Sequence, residues 1–599
     1  MPRARFLTAL LLLFASILPA TLYADDSEVR ALWVDSIRAD LRSPAGIDAL
    51  IQAARSGNFN TIIAQVRRNA QSLYANHHPA EGWIENYVPP AGFDPLQYLI
   101  DKAHPEGIEV HAWVNIGATF SGHPTIRTSA FPCAVPCDPN HIFRHHGWGS
   151  SDAESWITRA HPSFLAGTTF SGQRQSPSGV WFLDLGHPDA AAHTIDVLTH
   201  LLRNYDVDGI HLDYIRYPEM PIAAPRPPGA TGLGFSTGYN PTSVNRFNQT
   251  YSRPMGSLPS IWDASWSQWR RDQVSAFVRR LYLEMGFIRP SAKLSAALIT
   301  FFRGPNTSEP RTFQQTEAYT RVFQDWRGWM DEGILDLSIP MIYKHHGFAS
   351  HRIQFTEWAE FTKTSQYDRH GVLGLGAYMN SIPFTLAQIE EGRTPAANGD
   401  ASRGFNFFSY FQTNGNSAGT VRLVPNAEFY RAVAIDGAWT ANAPFATPAS
   451  IPAMSWKSSP RHGHLLAQIL LENGSPADGA LVTIRKMGGG SRDEEIVQYA
   501  DGNGYVGGVD LNPGAYQLLI EIPGSEDRVT IPEPVVPGRV TRVTVDLARP
   551  ARGPMARAER TLGEHERTDH LGDEASALEE WLGREPLPED LTTTTPPNP

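Results

Sequence analysis

The sequence predicts an α/β fold: a (β/α)8 TIM barrel followed by a small all-β sandwich domain and a disordered acidic tail. Three observations predict it. Short β-branched apolar runs alternate with longer helical patterns from residue 30 to about 440, as in repeated βα units. There are eight such runs, the number that closes a barrel. After about residue 445 the alternation gives way to closely spaced strand-like runs separated by turn residues.

The eight runs are Ala31–Asp35, Thr61–Val66, Glu109–Asn115, Gly209–Asp213, Leu294–Ile299, Leu335–Tyr343, Val372–Tyr378 and Phe405–Tyr410. Each is nearly continuous in apolar residues, as expected of parallel strands buried on both faces. Helix starts fit between them. Ser43-Pro44 and Asp94-Pro95 pair an N-cap with proline at the first helical position, and His187-Pro188 opens a helix to about Asn204. Two connections, Asn115 to about Trp181 and Pro218 to Trp262, exceed an ordinary βα loop and fall on the C-terminal face, where barrel enzymes carry their sites.

Residues 1–24 read as a secretory signal, with Arg3 and Arg5 ahead of the apolar Leu7–Leu18 stretch and a cleavage point after Ala24. That stretch is too short for a membrane span. The expected location is the periplasm or the outside of the cell. The domain bounds that follow are 28–440 for the barrel, 455–547 for an immunoglobulin-like sandwich and 549–599 for the tail. In the sandwich, Leu465–Leu471, Ala480–Lys486, Tyr516–Ile522 and Val540–Val545 are the strands, with turns at Asn473-Gly474, Asp501-Gly502 and Asn512-Pro513-Gly514. The tail is low in large apolar residues apart from one short helical pattern at Glu574–Leu582.

A hydrophobic fraction of 41% and a charged fraction of 19% are those of a globular protein. A net charge of −12 without a basic cluster argues against a nucleic-acid partner. The two cysteines, Cys133 and Cys137, are expected to form a local disulfide in an oxidising compartment; zinc would need further ligands from His141, His145 or His146. No cofactor is called for.

Barrel strands deliver functional side chains at their C-terminal ends. Those ends carry Asp35, Gln65 and Arg67, His111, Trp113 and Asn115, His211 and Asp213 with Arg216 beyond, Tyr343, Tyr378 and Tyr410. The period of two places His211 with Asp213, His111 with Trp113 and Asn115, and Gln65 with Arg67 on common faces. Carboxylates, hydrogen-bonding groups and aromatic rings on one rim are what glycosidic-bond cleavage uses. Asp213 lies between Ile210, Leu212 and Ile215, a costly place for a charge that is neither paired nor used; Arg216 or Arg67 is its expected partner. Asp206, Asp208, Asp325 and Asp336 fall at strand starts, turns or helices, where structural roles are expected. Asp184, Glu219 and Asp35 are the candidates for a second carboxyl, and the sequence leaves that choice open.

Arg30-Ala-Leu-Trp-Val, Gln65-Val-Arg67 with Tyr74, His111-Ala-Trp-Val-Asn115, Asn204-Tyr-Asp-Val-Asp-Gly-Ile-His-Leu-Asp213-Tyr-Ile-Arg-Tyr-Pro218, Pro340-Met-Ile-Tyr343 and Gly404–Tyr410 resemble glycosyl-hydrolase-like family ten, a group of bacterial extracytoplasmic barrels. The resemblance runs from about residue 28 to 435. It implies a glycoside-hydrolase barrel acting on a bacterial polysaccharide, peptidoglycan strands among the candidates, with the family's strand-4 Asp at Asp213. Many relatives have a second Asp next to it, where this chain has Tyr214. Two rival readings remain. One is a glycan-binding protein on a barrel without catalysis. The other is a metal-dependent hydrolase using His111, His211, His345 and His346, for which no compact ligand spacing is present.

Overall fold

A computed structural model describes residues 27–547, apart from 37, 86, 122–135, 148–149, 152, 162–179, 219–236, 262, 307–310, 489–494 and 523–524. The expected signal segment, the tail with its helical pattern, Cys133 and Glu219 lie outside the described residues. Cys137 is disulfide-bonded.

Eight parallel strands close into a barrel: β1 Val29–Val34, β2 Thr61–Arg68, β3 Glu109–Asn115, β4 Gly209–Asp213, β5 Lys293–Leu298, β6 Leu337–Ile342, β7 Leu373–Gly376 and β8 Gly404–Phe408. Each pairs with its neighbours in chain order, and β1 pairs with both β2 and β8. Alternate residues face inward, where Val29, Ala31, Trp33, Ile63, Trp113, Ala297, Leu337 and Ile339 fill the lumen. Their outward neighbours, such as Leu32, Ile62, Val114 and Leu212, pack under the helices. Gly374 makes room for the largest lumen side chain: a Cβ there would lie 2.8 Å from the Trp33 ring.

The helix starts read from sequence are present. Ser43 caps α1 (Pro44–Ser56), Asp94 caps α2 (Pro95–Ala103) and His187 caps α3 (Pro188–Asn204), each with proline in the first turn. After β3, Ala118–Ser121 pairs antiparallel with Val180–Phe182. After β4 come α4 (Pro241–Thr250) and the 25-residue α5 (Ala264–Ile288).

Two sheets follow, with their own apolar core. Three strands, β9 Gly463–Leu470, β12 Tyr505–Leu511 and β15 Val540–Asp546, face four, β10 Leu481–Lys486, β11 Glu495–Tyr499, β13 Tyr516–Ile522 and β14 Ser525–Thr530. One departure from the expected pairing is that β9 and β15 run parallel. The sandwich packs on α5, where a Cβ at Gly507 would meet Leu283 at 2.2 Å. Ion pairs Arg246–Asp478, Arg280–Asp501, Arg369–Asp510 and Arg542–Glu284 cross the joint. No described helix is long and apolar enough to cross a membrane.

Candidate active site

The register of β3 and β4 sorts the lumen into layers: Asn115 opposes Asp213 at the rim, Trp113 opposes His211 below it, and His111 opposes Gly209 lower still. Asp213 is 9% exposed. Its Oδ2 accepts the Trp113 indole N–H at 3.1 Å and its Oδ1 accepts the Tyr214 amide at 2.7 Å. Burial raises its pKa, while Arg216, the two donors and Arg68 pull it back down. Tyr214 adopts φ 53°, a left-handed conformation costly for a bulky side chain, and this turn brings its N–H back onto Asp213.

Aromatic rings wall the mouth. Tyr343 stacks on Phe408 with centroids 5.5 Å apart, and Tyr378 meets both rings edge-on. Burial lifts the Tyr343 hydroxyl far above its ordinary pKa, with Tyr378, Asp213 and Tyr214 adding to the effect. Tyr410, half-buried, follows β8, and its amide donates to the Trp33 carbonyl. Trp33, Phe408 and Tyr214 were not singled out from sequence as site residues. The aromatic ends of β1 and β8 were the available signal.

Several expected site residues lie elsewhere. His211 is fully buried in the second layer: the Trp33 N–H donates to its Nε2 at 3.0 Å, which leaves Nδ1–H to donate to Ser295 Oγ at 2.9 Å. Burial holds it neutral, so it supports Trp33 rather than touching substrate. His111 sits near the floor of the barrel beside Glu109, which also pairs with Lys293. Its depth removes it from the rim. Arg67 is also displaced. A register shift between Gln65 and Arg67 puts Arg67 opposite Val114, an outward position, where it forms a fully buried ion pair with Glu81 at 2.6 Å. The next residue, Arg68, takes the inward place. Arg67 also binds the Asn115 carbonyl, while Gln65 donates to Asn115 Oδ1 and accepts from Ser36, so this group braces the rim.

Asp184 is completely buried. Its Oδ1 accepts the Gly186 amide, the Ser243 hydroxyl and the Tyr217 hydroxyl, which tie the Val180–Phe182 segment to α4 and to the loop after β4. Asp35 is half-buried at the end of β1 and accepts the Arg38 amide. The acids expected to be structural are so placed: Asp208 accepts the Val110 amide, Asp325 caps the helix Trp326–Glu332, and buried Asp336 accepts from Leu294 and Trp456. Asp206 pairs with Arg289.

The metal reading finds no shared centre. His111 and His211 stand at different depths, whereas His345 and His346 both contact the Phe384 ring. Among the described residues, no group of three or more His, Cys, Asp or Glu side chains is placed to hold a metal ion.

The chain is 23% identical to the Bacillus subtilis glycosyl hydrolase YngK over 59% of its own length, and spans 61% of that relative. To the Escherichia coli K12 glycosyl hydrolase DigH it is 23% identical over 54% of its length, spanning 67% of that protein. The glycoside hydrolase domain of PgaB from Bordetella bronchiseptica superposes with a TM-score of 0.43 at 13% identity, over 64% of this chain and 94% of that one, a likeness too distant to carry an argument. The model of glycosyl hydrolase-like family 10 matches residues 28–389, the span that builds β1 to β7 and Asp213, and the chain belongs to that family.

Proposed function

We propose that this protein is an exported glycoside hydrolase, periplasmic or secreted, that cleaves glycosidic bonds in a bacterial polysaccharide, peptidoglycan strands being the first candidate. The observation that carries the reading is Asp213: a carboxylate at the barrel mouth, held by two N–H donors beside a wall of tyrosine and phenylalanine rings. The donors fix its orientation, and partial desolvation strengthens its interaction with charge developing at an anomeric carbon. Asp213 has the nucleophilic or charge-stabilising role; on a substrate bearing N-acetyl groups the same position orients the acetamide.

With Asp184 sealed, Asp35 is the described candidate that supports a second carboxyl function. It directly follows β1, three strands around the barrel from β4. A carboxyl separation wide enough to admit a water suits inversion, and a shorter one suits retention.

The test is digestion of purified bacterial cell-wall glycan, read by new reducing ends. Asp213→Asn is expected to lower the rate by roughly 10³-fold, within the range of one acid–base or nucleophilic group. Retained cleavage in that variant overturns the assignment. A second reading, a glycan-binding barrel without catalysis, follows from the sealing of Asp184 away from the mouth. Binding without cleavage by the unaltered protein decides for it.

A further inference from the structure

Among the described residues, two arginines, Arg68 and Arg216, stand on the rim that carries Asp213. Arg68, at the end of β2, is turned inward by the register shift that sends Arg67 out to Glu81. It makes no ion pair or side-chain hydrogen bond with any described residue, and the register sets it at the end of β2 on the same rim that β3 and β4 carry round to Asp213. Arg216, on the loop leaving β4, lays its guanidinium over the Tyr214 ring at 5.1 Å. Its Nη1 is buried with no hydrogen-bond partner, and its charge acts on Asp213. Two guanidinium groups therefore flank one carboxylate. By contrast, Arg67, Arg246, Arg303 and Arg369 each have an acidic partner.

A buried guanidinium nitrogen without an acceptor is costly, and arginine's planar fork matches a planar anion. We propose that Arg68 and Arg216 form an anion-binding subsite beside Asp213 that takes a carboxylate substituent on a sugar ring of the glycan. Immediately beside Asp213, among the described residues, two cations meet one carboxylate and leave one positive charge, which a singly charged carboxylate neutralises. A phosphate monoester brings about two negative charges, one more than this balance takes. The inference rests on a glycan being the ligand. It adds that the glycan is acidic and that its acid group sits next to the bond acted upon.

The experiment compares soluble cell-wall glycan with the same glycan after its carboxyls have been reduced to primary alcohols. Binding is measured by titration in the cold at low salt, and cleavage is followed separately. The unaltered protein is expected to bind the carboxylated glycan about tenfold more tightly, the value of one charge-assisted contact. In Arg68→Gln and Arg216→Gln that ratio falls, and in the double variant it approaches one. Arg68→Lys, which keeps the charge and loses the fork, gives an intermediate ratio, and melting curves confirm that each variant folds. A ratio near one in the unaltered protein, or a ratio unchanged in the double variant, overturns the subsite. A preserved ratio without cleavage overturns the hydrolase reading and leaves the subsite standing.

Discussion

Asp213 is held between opposing influences, and Trp113 is the one most open to experiment. Burial favours the protonated acid, and the indole N–H favours the carboxylate. Trp113→Phe keeps the ring and removes the donor, so the pKa of Asp213 must rise. A step needing the carboxylate then loses rate at a higher pH than before. The expected shift in the acidic limb of the pH–rate profile is upward, by about one unit for a hydrogen bond to a charged group; an unmoved limb contradicts the role given to Trp113. Asp213 itself was legible in the sequence because a carboxylate amid apolar strand residues stands out. Its orientation was not, because that depends on Tyr214 taking a left-handed conformation that its residue type disfavours. His211 and His111 show a second limit. The period of two gives the face a side chain points to, but not whether the depth it occupies is rim or floor.

At the scale of elements, the register shift in β2 decides which arginine serves the mouth. A one-residue irregularity reverses the alternation beyond it, and nothing in Gln65-Val-Arg67-Arg68 announces where that occurs. The partner that stabilises it, Glu81, is fourteen residues away in a loop and was not singled out as a site residue. Burial by itself would raise the Glu81 pKa, but Arg67, helped by His193 and Ser72, more than offsets this and the acid stays ionised. Removing one member leaves a charge stranded in the interior. Arg67→Met and Glu81→Leu are each expected to lower unfolding free energy by roughly 3–5 kcal/mol, with the double variant recovering part of the loss. Denaturant unfolding of the four proteins measures this, and additive losses would show that the two side chains are not coupled. The barrel strands, in contrast, fall within two residues of the expected runs, and the capped helices start where expected, because continuous apolar runs and Ser-Pro or Asp-Pro starts are local signals.

For the whole molecule, the expected order of barrel and sandwich holds, but the joint between them was invisible in the sequence. It brings α4 and α5 together with turns more than two hundred residues away, as in Arg246–Asp478 and Arg280–Asp501. Leu466, Val509 and Val540 of the sandwich belong to the same apolar cluster as the outer barrel. Deleting 460–547 uncovers that surface while keeping Trp456 and Lys457 on Asp336. The shortened protein is expected to melt at least about 5 °C lower and to bind a hydrophobic dye; an unchanged melting point would show that the barrel stands independently.

The long helix at this joint has one further consequence. At 25 residues α5 is a rod of about 38 Å. Near its start, Trp269 backs Gly186 and Arg270 holds the Thr237 carbonyl, behind the segment that anchors Asp184. Near its end, Leu283 and Glu284 are locked to the sandwich. A pull on the sandwich is thus delivered by a stiff lever to one wall of the barrel mouth, and the two ends of the molecule are mechanically in series.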